Sequence, residues 1–265
     1  MADKRKVIYY TDELNDEFST AVIKARAIDE HYNYGGKTLL WKIARFFLHR
    51  IIAQPIAIAY LHFKFAHKIV NRKILKPYKK QSLFIYGNHT NTFADPLVPT
   101  FVSFPKQAFV IVHANNVSMP VFGKIMPYLG ALPLPDNMAA MKNFLSTIRY
   151  HVEHKRSIVI YPEAHIWPFY TKIRPFLDVS FKYPVDYKCP VFCFTNVYRK
   201  RKFSKNPKMI TYVDGPFIPD ENLSAKEKRK DLRDKVYRAM CERSKLNNIE
   251  IIRYIKKDTV KEDEN

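Results

Sequence analysis

Residues 82–96 read S-L-F-I-Y-G-N-H-T-N-T-F-A-D-P. The first part, 82–87, is a short apolar run closed by a glycine, the pattern of a buried strand. The turn that follows holds Asn88, His89, Thr90, Asn91 and Asp95. Strand ends are where α/β proteins gather reactive side chains, because the sheet fixes the strand while the loop is free to carry polar groups. A histidine with a carboxylate nearby has an evident use. Asp95 would accept from the Nδ1–H of His89 and fix its tautomer, leaving Nε2 to take a proton from an attacking hydroxyl. The plainer reading is an Asn/Thr-rich turn around a hydrogen-bonded histidine, and spacing alone does not separate the two.

Working outward, further apolar runs at 107–113, 157–162, 189–198 and 208–217 read as strands, with helical stretches between them, notably 138–154. Strands alternating with helices of this length predict an α/β fold. Its single mixed, largely parallel sheet would be flanked by helices. Residues 10–30 read as a peripheral helix of mixed charge. Ser224 followed by Glu227 forms a capping box, predicting a helix to about Lys245, and residues 256–265 read as a frayed end. The chain divides into an N-terminal peripheral segment (1–36), a basic helical hairpin (37–80) and the α/β domain with its C-terminal helix (81–265).

The charge balance is strongly positive. Lys and Arg number 45 against 25 Asp and Glu, a net +20, which points to anionic partners. No zinc-finger, RNP or basic-zipper pattern is present, so nucleic acid is not the expected partner. Only six glycines occur, and neither G-x-G-x-x-G nor G-x-x-x-x-G-K-[ST] is found, which argues against the familiar nucleotide-binding folds. The three cysteines, Cys189, Cys193 and Cys241, show no C-x-x-C spacing and read as small core residues of a reducing compartment. The opening residues carry no apolar signal-peptide core, so secretion is not indicated.

The positive charge is concentrated. Between His31 and Ala94 there is no Asp or Glu, while Lys37, Lys42, Arg45, Arg50, Lys64, Lys68, Arg72, Lys73, Lys76, Lys79 and Lys80 all fall there. The same stretch is the most apolar of the chain. Residues 38–53 read as a helix with Lys42, Arg45 and His49 on one stripe. Pro55 then interrupts, and 56–70 reads as a second helix. The longest uncharged run, 51–63, is shorter than the ~20 residues of a spanning helix. The expectation is therefore an amphipathic hairpin lying in the membrane interface. Its aromatic rings would sit at headgroup depth and its cations would face anionic lipid, each contributing about 1 kcal/mol. The alternative is a buried helical layer with solvated basic edges. A second cluster, Arg199, Lys200, Arg201, Lys202, Lys205 and Lys208, reads either as a solvated hairpin tip or as a docking site for an acidic donor or lipid.

Residues 160–176, I-Y-P-E-A-H-I-W-P-F-Y-T-K-I-R-P-F, form a second polar constellation after an apolar strand. Glu163 there could hold a substrate hydroxyl or anchor the histidine loop. Lys172 and Arg174 could clamp a phosphate or carboxylate. The bland readings are a loop cap and surface cations. His113 and His165 could join His89 and Asp95 around a metal. No two of these histidines stand at i, i+3 or i+4, so no metal is expected.

N-H-T-N-T-F-A-D-P, then Y-P-E-A, then I-R-P-F resemble the motifs of the glycerolipid acyltransferases, whose best-known members are the 1-acylglycerol-3-phosphate (lysophosphatidate) acyltransferases. The resemblance runs over about 83–197. It implies transfer of a fatty acyl group from acyl-CoA or acyl carrier protein to a glycerolipid hydroxyl, with 1-acylglycerol-3-phosphate as the acceptor, in phospholipid biosynthesis. His89 and Asp95 would be catalytic, and Asn88, Thr90, Glu163, His165, Lys172 and Arg174 would bind substrate. It also implies no cofactor beyond the thioester co-substrate, no acyl-enzyme, and a peripheral or monotopic place on the cytoplasmic face of an anionic membrane. The absence of a G-x-S-x-G elbow agrees with direct attack. Three features depart from the family pattern. Five residues rather than four separate His89 from Asp95. Ile166 stands where the third motif has an arginine, and Pro135 lies near the place of the middle motif's arginine. These departures leave a competing reading, a non-catalytic lipid-binding protein on the same fold.

Overall fold

The computed structural model describes residues 5–18, 25–36 and 38–257. Lys37, part of the expected N-terminal helix (19–24) and most of the expected frayed end (258–265) lie outside the described residues. In chain order the strands are β1 (Lys6–Tyr10), β2 (Lys68–Val70), β3 (Leu83–Gly87), β4 (Ala108–Val112), β5 (Ala131–Pro133), β6 (Ser157–Ile160), β7 (Val191–Arg199), β8 (Lys208–Phe217) and β9 (Ile252–Lys256). The helices are α1 (Leu39–Phe65), α2 (Val98–Ser103), α3 (Ala114–Ser118), α4 (Phe122–Leu129), α5 (Met138–Glu153), α6 (Lys182–Asp186) and α7 (Ala225–Ser244).

Seven strands form one sheet in the order β2-β8-β7-β3-β6-β4-β5. The pair β7–β8 is antiparallel and every other pairing is parallel, so the sheet is mixed and largely parallel. β3 is its middle strand and is wholly buried. Both faces of β3 meet apolar layers, which is why it reads as a continuous apolar run. Phe84 and Tyr86 point to one side, into a core with Phe144 and Ile148 of α5 and Leu232, Val236 and Met240 of α7. Leu83 and Ile85 point to the other, against Val98 and Val102 of α2 and Leu61 and Phe65 of α1. Gly87 ends the strand beneath the Phe194 ring, where a Cβ would lie 2.3 Å from Cζ. α7 opens with the predicted capping box, Ser224 and Glu227 bonding each other's backbone amide.

The basic segment is one helix, not a hairpin. α1 runs 27 residues from Leu39 to Phe65 without a turn. Pro55 lacks an amide and its ring crowds the carbonyl one turn back, so a regular α-helix would kink there. The helix absorbs this by widening to π-helical spacing over Phe46–Ala53, and the Gln54 amide reaches back five residues to the His49 carbonyl. The orientation also differs from the expectation. Arg45 and His49 face the protein, not lipid. Arg45 donates to the Ala108 and Pro127 carbonyls and lies over the Phe109 ring at 4.2 Å. His49 Nε2 meets Thr100 Oγ1 at 3.1 Å. The exposed face instead carries Leu39, Leu40, Ile43, Phe46, Phe47, Ile51, Ile52, Ile56, Ile58 and Phe63.

The N-terminal segment is not helical where it is described. β1 pairs in parallel with β9, from Lys6 opposite Ile252 to Tyr10 opposite Lys256. Lys256 therefore ends a strand and is not part of a frayed tail. Residues 11–18 and 25–36 are turns and irregular chain. Ile28 and Tyr34 are buried in the main core, so this segment contributes packing as well as surface.

Candidate active site

β3 and β6 are parallel neighbours, so the loops that leave them emerge side by side. The β3 loop carries His89 and the β6 loop carries Glu163. The two loops are sewn together: the Trp167 amide donates to the His89 carbonyl (3.2 Å) and the Phe169 amide to the Thr90 carbonyl (2.8 Å).

His89 and Asp95 meet. Nδ1 lies 2.8 Å from Asp95 Oδ2, and the carboxylate is fully buried while the imidazole side chain is 20% exposed. The additional residue between them is taken up by a tight turn at 92–97. Asn91 Oδ1 caps it by accepting from the Phe93 and Ala94 amides, and the Asp95 amide returns to the Asn91 carbonyl. Asp95 Oδ2 also accepts the Thr90 and Asn91 amides at 2.7 and 2.8 Å, and Oδ1 accepts from Asn196 Nδ2 at 3.2 Å. A buried carboxylate needs such donors, and these four hold it as an acceptor. Asp95 accepts at Oδ2, so the imidazole carries its proton on Nδ1 and leaves Nε2 free to accept. The Tyr161 ring stacks on His89 with centroids 4.5 Å apart, and its hydroxyl donates to the Asp95 carbonyl.

Residues 67–195, just under half of the chain, match the sequence model of a family described as Acyltransferase. This segment is an acyltransferase-family domain. The fold is similar to that of the 1-acyl-sn-glycerophosphate (LPA) acyltransferase PlsC from Thermotoga maritima. The TM-score is 0.56 and the identity 17%, over 78% of this chain and 84% of that one. No curated protein sequence matches the chain.

Several expected substrate-binding residues of the acyltransferase domain are bonded into the protein. Asn88 is buried and exchanges two hydrogen bonds with the backbone of Asn196, 3.1 Å to its carbonyl and 2.7 Å from its amide. Thr90 is buried with its hydroxyl 2.9 Å from Tyr198 OH. Arg174 is wholly buried. Its guanidinium donates to the carbonyls of Glu13 (3.1 Å), Glu163 (2.9 Å) and His165, and lies over the Trp167 ring at 4.9 Å. Buried this way, it ties the β6 loop to the N-terminal segment.

Glu163 stays at the site. Oε2 lies 3.4 Å from the His89 amide and 3.6 Å from Arg174 Nε, while Oε1 is buried with no hydrogen-bond partner. Burial pushes its carboxyl up to about 7, against the opposing pull of Arg174 and the His89 amide. Ala164 beside it has φ +62°, a left-handed conformation in which glycine is unstrained. Ile166 is buried, so an apolar side chain fills the place of the expected arginine. His165 is 34% exposed and 3.5 Å from Glu17, and Lys172 is exposed. His113 caps α3 by accepting the Asn115 amide. Among the described residues, no three His, Cys, Asp or Glu side chains cluster as metal ligands.

Asn196, Tyr161 and Tyr198 belong to the site and were not singled out from sequence. Asn196 had one visible signal: it is an amide within the otherwise apolar strand run 189–198.

Proposed function

We propose that the chain is a membrane-associated acyltransferase of glycerolipids, moving a fatty acyl group from acyl-CoA or acyl carrier protein to the free hydroxyl of 1-acylglycerol-3-phosphate. The observation that carries this reading is the His89–Asp95 contact of 2.8 Å at the end of the central strand, within the acyltransferase domain. His89 Nε2 accepts the proton of the acceptor hydroxyl as its oxygen attacks the thioester carbonyl, while Asp95 keeps the imidazole oriented and stabilises its protonated form. The tetrahedral intermediate then expels the thiolate, which takes the proton back from His89. No acyl-enzyme forms. Glu163 Oε1 is the free acceptor beside this histidine and is suited to hold a second substrate hydroxyl. With Arg174 buried and Ile166 apolar, exposed Lys172 is a cation of this loop suited to an acceptor phosphate, with His165 a candidate hydrogen-bonding neighbour.

Membrane association rests on α1. Its length and mean hydropathy of 1.2 would suffice to cross a membrane, and only 17% of its apolar window is buried. Its inner stripe of Arg45, His49, Ala57, Leu61 and Phe65 is bonded to the domain, which favours a helix lying along the bilayer surface with its outer apolar face immersed. The cationic tip between β7 and β8 lies at the same edge of the sheet as His89, since β7 runs parallel to β3. That tip is suited to the acidic donor and to the cytoplasmic face of an anionic membrane.

The test is mass-spectrometric detection of product in lipid vesicles. Acyl-CoA and acyl carrier protein are offered as donors, with lysophosphatidate, glycerol-3-phosphate and neutral lysolipids as acceptors. Phosphatidate from lysophosphatidate is expected. Product from a different acceptor alone would refute the acceptor, and no product from any pair would refute the reaction.

A further inference from the structure

Asp95 Oδ1 is the near end of a buried chain of hydrogen bonds that leaves the site and reaches the foot of α1. Asn196 Nδ2 donates to Asp95 Oδ1 at 3.2 Å. Thr211 Oγ1 lies 2.7 Å from Asn196 Oδ1, and His67 Nε2 lies 2.8 Å from Thr211 Oγ1. Strand register sets these distances. Asn196 on β7 is the direct partner of Thr211 on β8, and Thr211 is the partner of Ile69 on β2, two residues beyond His67. His67 is placed by the end of α1: Ala66 adopts φ +42°, and the His67 amide returns to the Leu61 carbonyl.

The chain has one direction. An ionised carboxylate only accepts, so Asn196 must turn its NH₂ toward Asp95 and its oxygen toward Thr211. Thr211 must then donate to that oxygen and is left with lone pairs for His67. His67 must carry its proton on Nε2. Burial pushes the His67 imidazole down to about 4, so it is neutral and one nitrogen is bare. Every hydrogen bond points its positive end toward Asp95, and each polarises the next. Asn196 and Thr211 are fully buried, so no water competes.

We propose that Thr211 and His67 are positioning residues of the acyl-transfer dyad, fixing the Asn196 amide that holds Asp95 and coupling the end of α1 to the catalytic carboxylate. Neither touches substrate. Thr211 and His67 act on the rate only through Asp95, so their loss should lower kcat and leave KM unchanged. The proposal rests on the acyltransferase reading for its kinetic arm and on hydrogen-bond geometry alone for its spectroscopic arm.

Thr211→Val keeps the shape and deletes the hydroxyl. It is expected to lower kcat about tenfold at constant KM, with Thr211→Ser restoring it. His67→Phe should reproduce the loss, and His67→Gln, which keeps a donor, should recover part of it. Nitrogen-15 NMR of the histidine rings should show His67 protonated at Nε2 and His89 at Nδ1 in the wild-type chain. Wild-type kcat in a folded Thr211→Val protein would overturn the proposal, as would a His67 proton on Nδ1. A wild-type chain inactive with every donor and acceptor would refute the acyltransferase reading, and the NMR arm would still decide the hydrogen-bond chain.

Discussion

Asp95 has two carboxylate oxygens and four donors, and that supply is what permits its complete burial. Glu163, nearby, is buried with one oxygen unpartnered, and its carboxyl is pushed up to about 7. The folded chain therefore holds a proton that the unfolded chain, at the ordinary 4.5, releases. This contribution to stability is fully present below about 4.5 and is lost as pH rises through about 7, a change on the order of 3 kcal/mol. Glu163→Gln should remove it, so urea unfolding of the two proteins should give stabilities that diverge with rising pH, the variant becoming relatively more stable. Parallel curves would contradict the assignment. At this scale the sequence was informative about His89 and Asp95, because a polar loop after an apolar strand has few structural uses. It did not show that Arg174 is buried. A lone arginine in a loop looks like an anion clamp, and nothing in its neighbours discloses that three carbonyls, including that of Glu13 far back in the chain, converge on it.

The elements were legible wherever hydrophobic period and length agreed. All five strands read from apolar runs are present, as are the helix at Met138–Glu153 and the capped helix at Ala225–Ser244. The three-residue strands β2 and β5 are too short to carry a period. β1 and β9 leave no local signal, because the partner of each lies far away in the chain. Pro55 reads as a breaker in a regular helix, whereas π-helical spacing ahead of it lets α1 continue. The corrected helix changes what holds the protein on a membrane. Its outward face is apolar, so vesicle flotation should persist in high salt, where a purely electrostatic contact would be screened. Replacing Phe46, Phe47 and Ile51 together with serine should abolish flotation while leaving the melting temperature near wild type, since all three are exposed. Release by salt alone would restore the electrostatic picture.

In the whole molecule, the two ends of the described chain meet against the β6 loop. The parallel pair β1–β9 brings Tyr10 and Tyr254 onto Trp167, with the Tyr254 and Trp167 rings stacked at 5.1 Å and 10°, and Tyr254 OH donates to the Pro168 carbonyl. The Trp167 indole donates to the Asp16 carbonyl at 2.7 Å. These aromatic rings brace the β6 loop that borders His89. Tyr254→Ala should destabilise the fold by about 3 kcal/mol and shift the Trp167 fluorescence to the red, read in a Trp41→Phe background. An unshifted spectrum would show that the loop stands without the clasp. The α/β class and the central strand could be read locally, but this closure could not, since each of its contacts joins residues far apart in sequence. The most direct test of the central claim is the turnover of His89→Gln in vesicles, set beside wild type at equal vesicle binding and equal melting temperature. The expected result is product formation reduced by about 10² to 10⁴-fold with flotation unchanged. Wild-type turnover in the variant would contradict the assignment of His89 as the base.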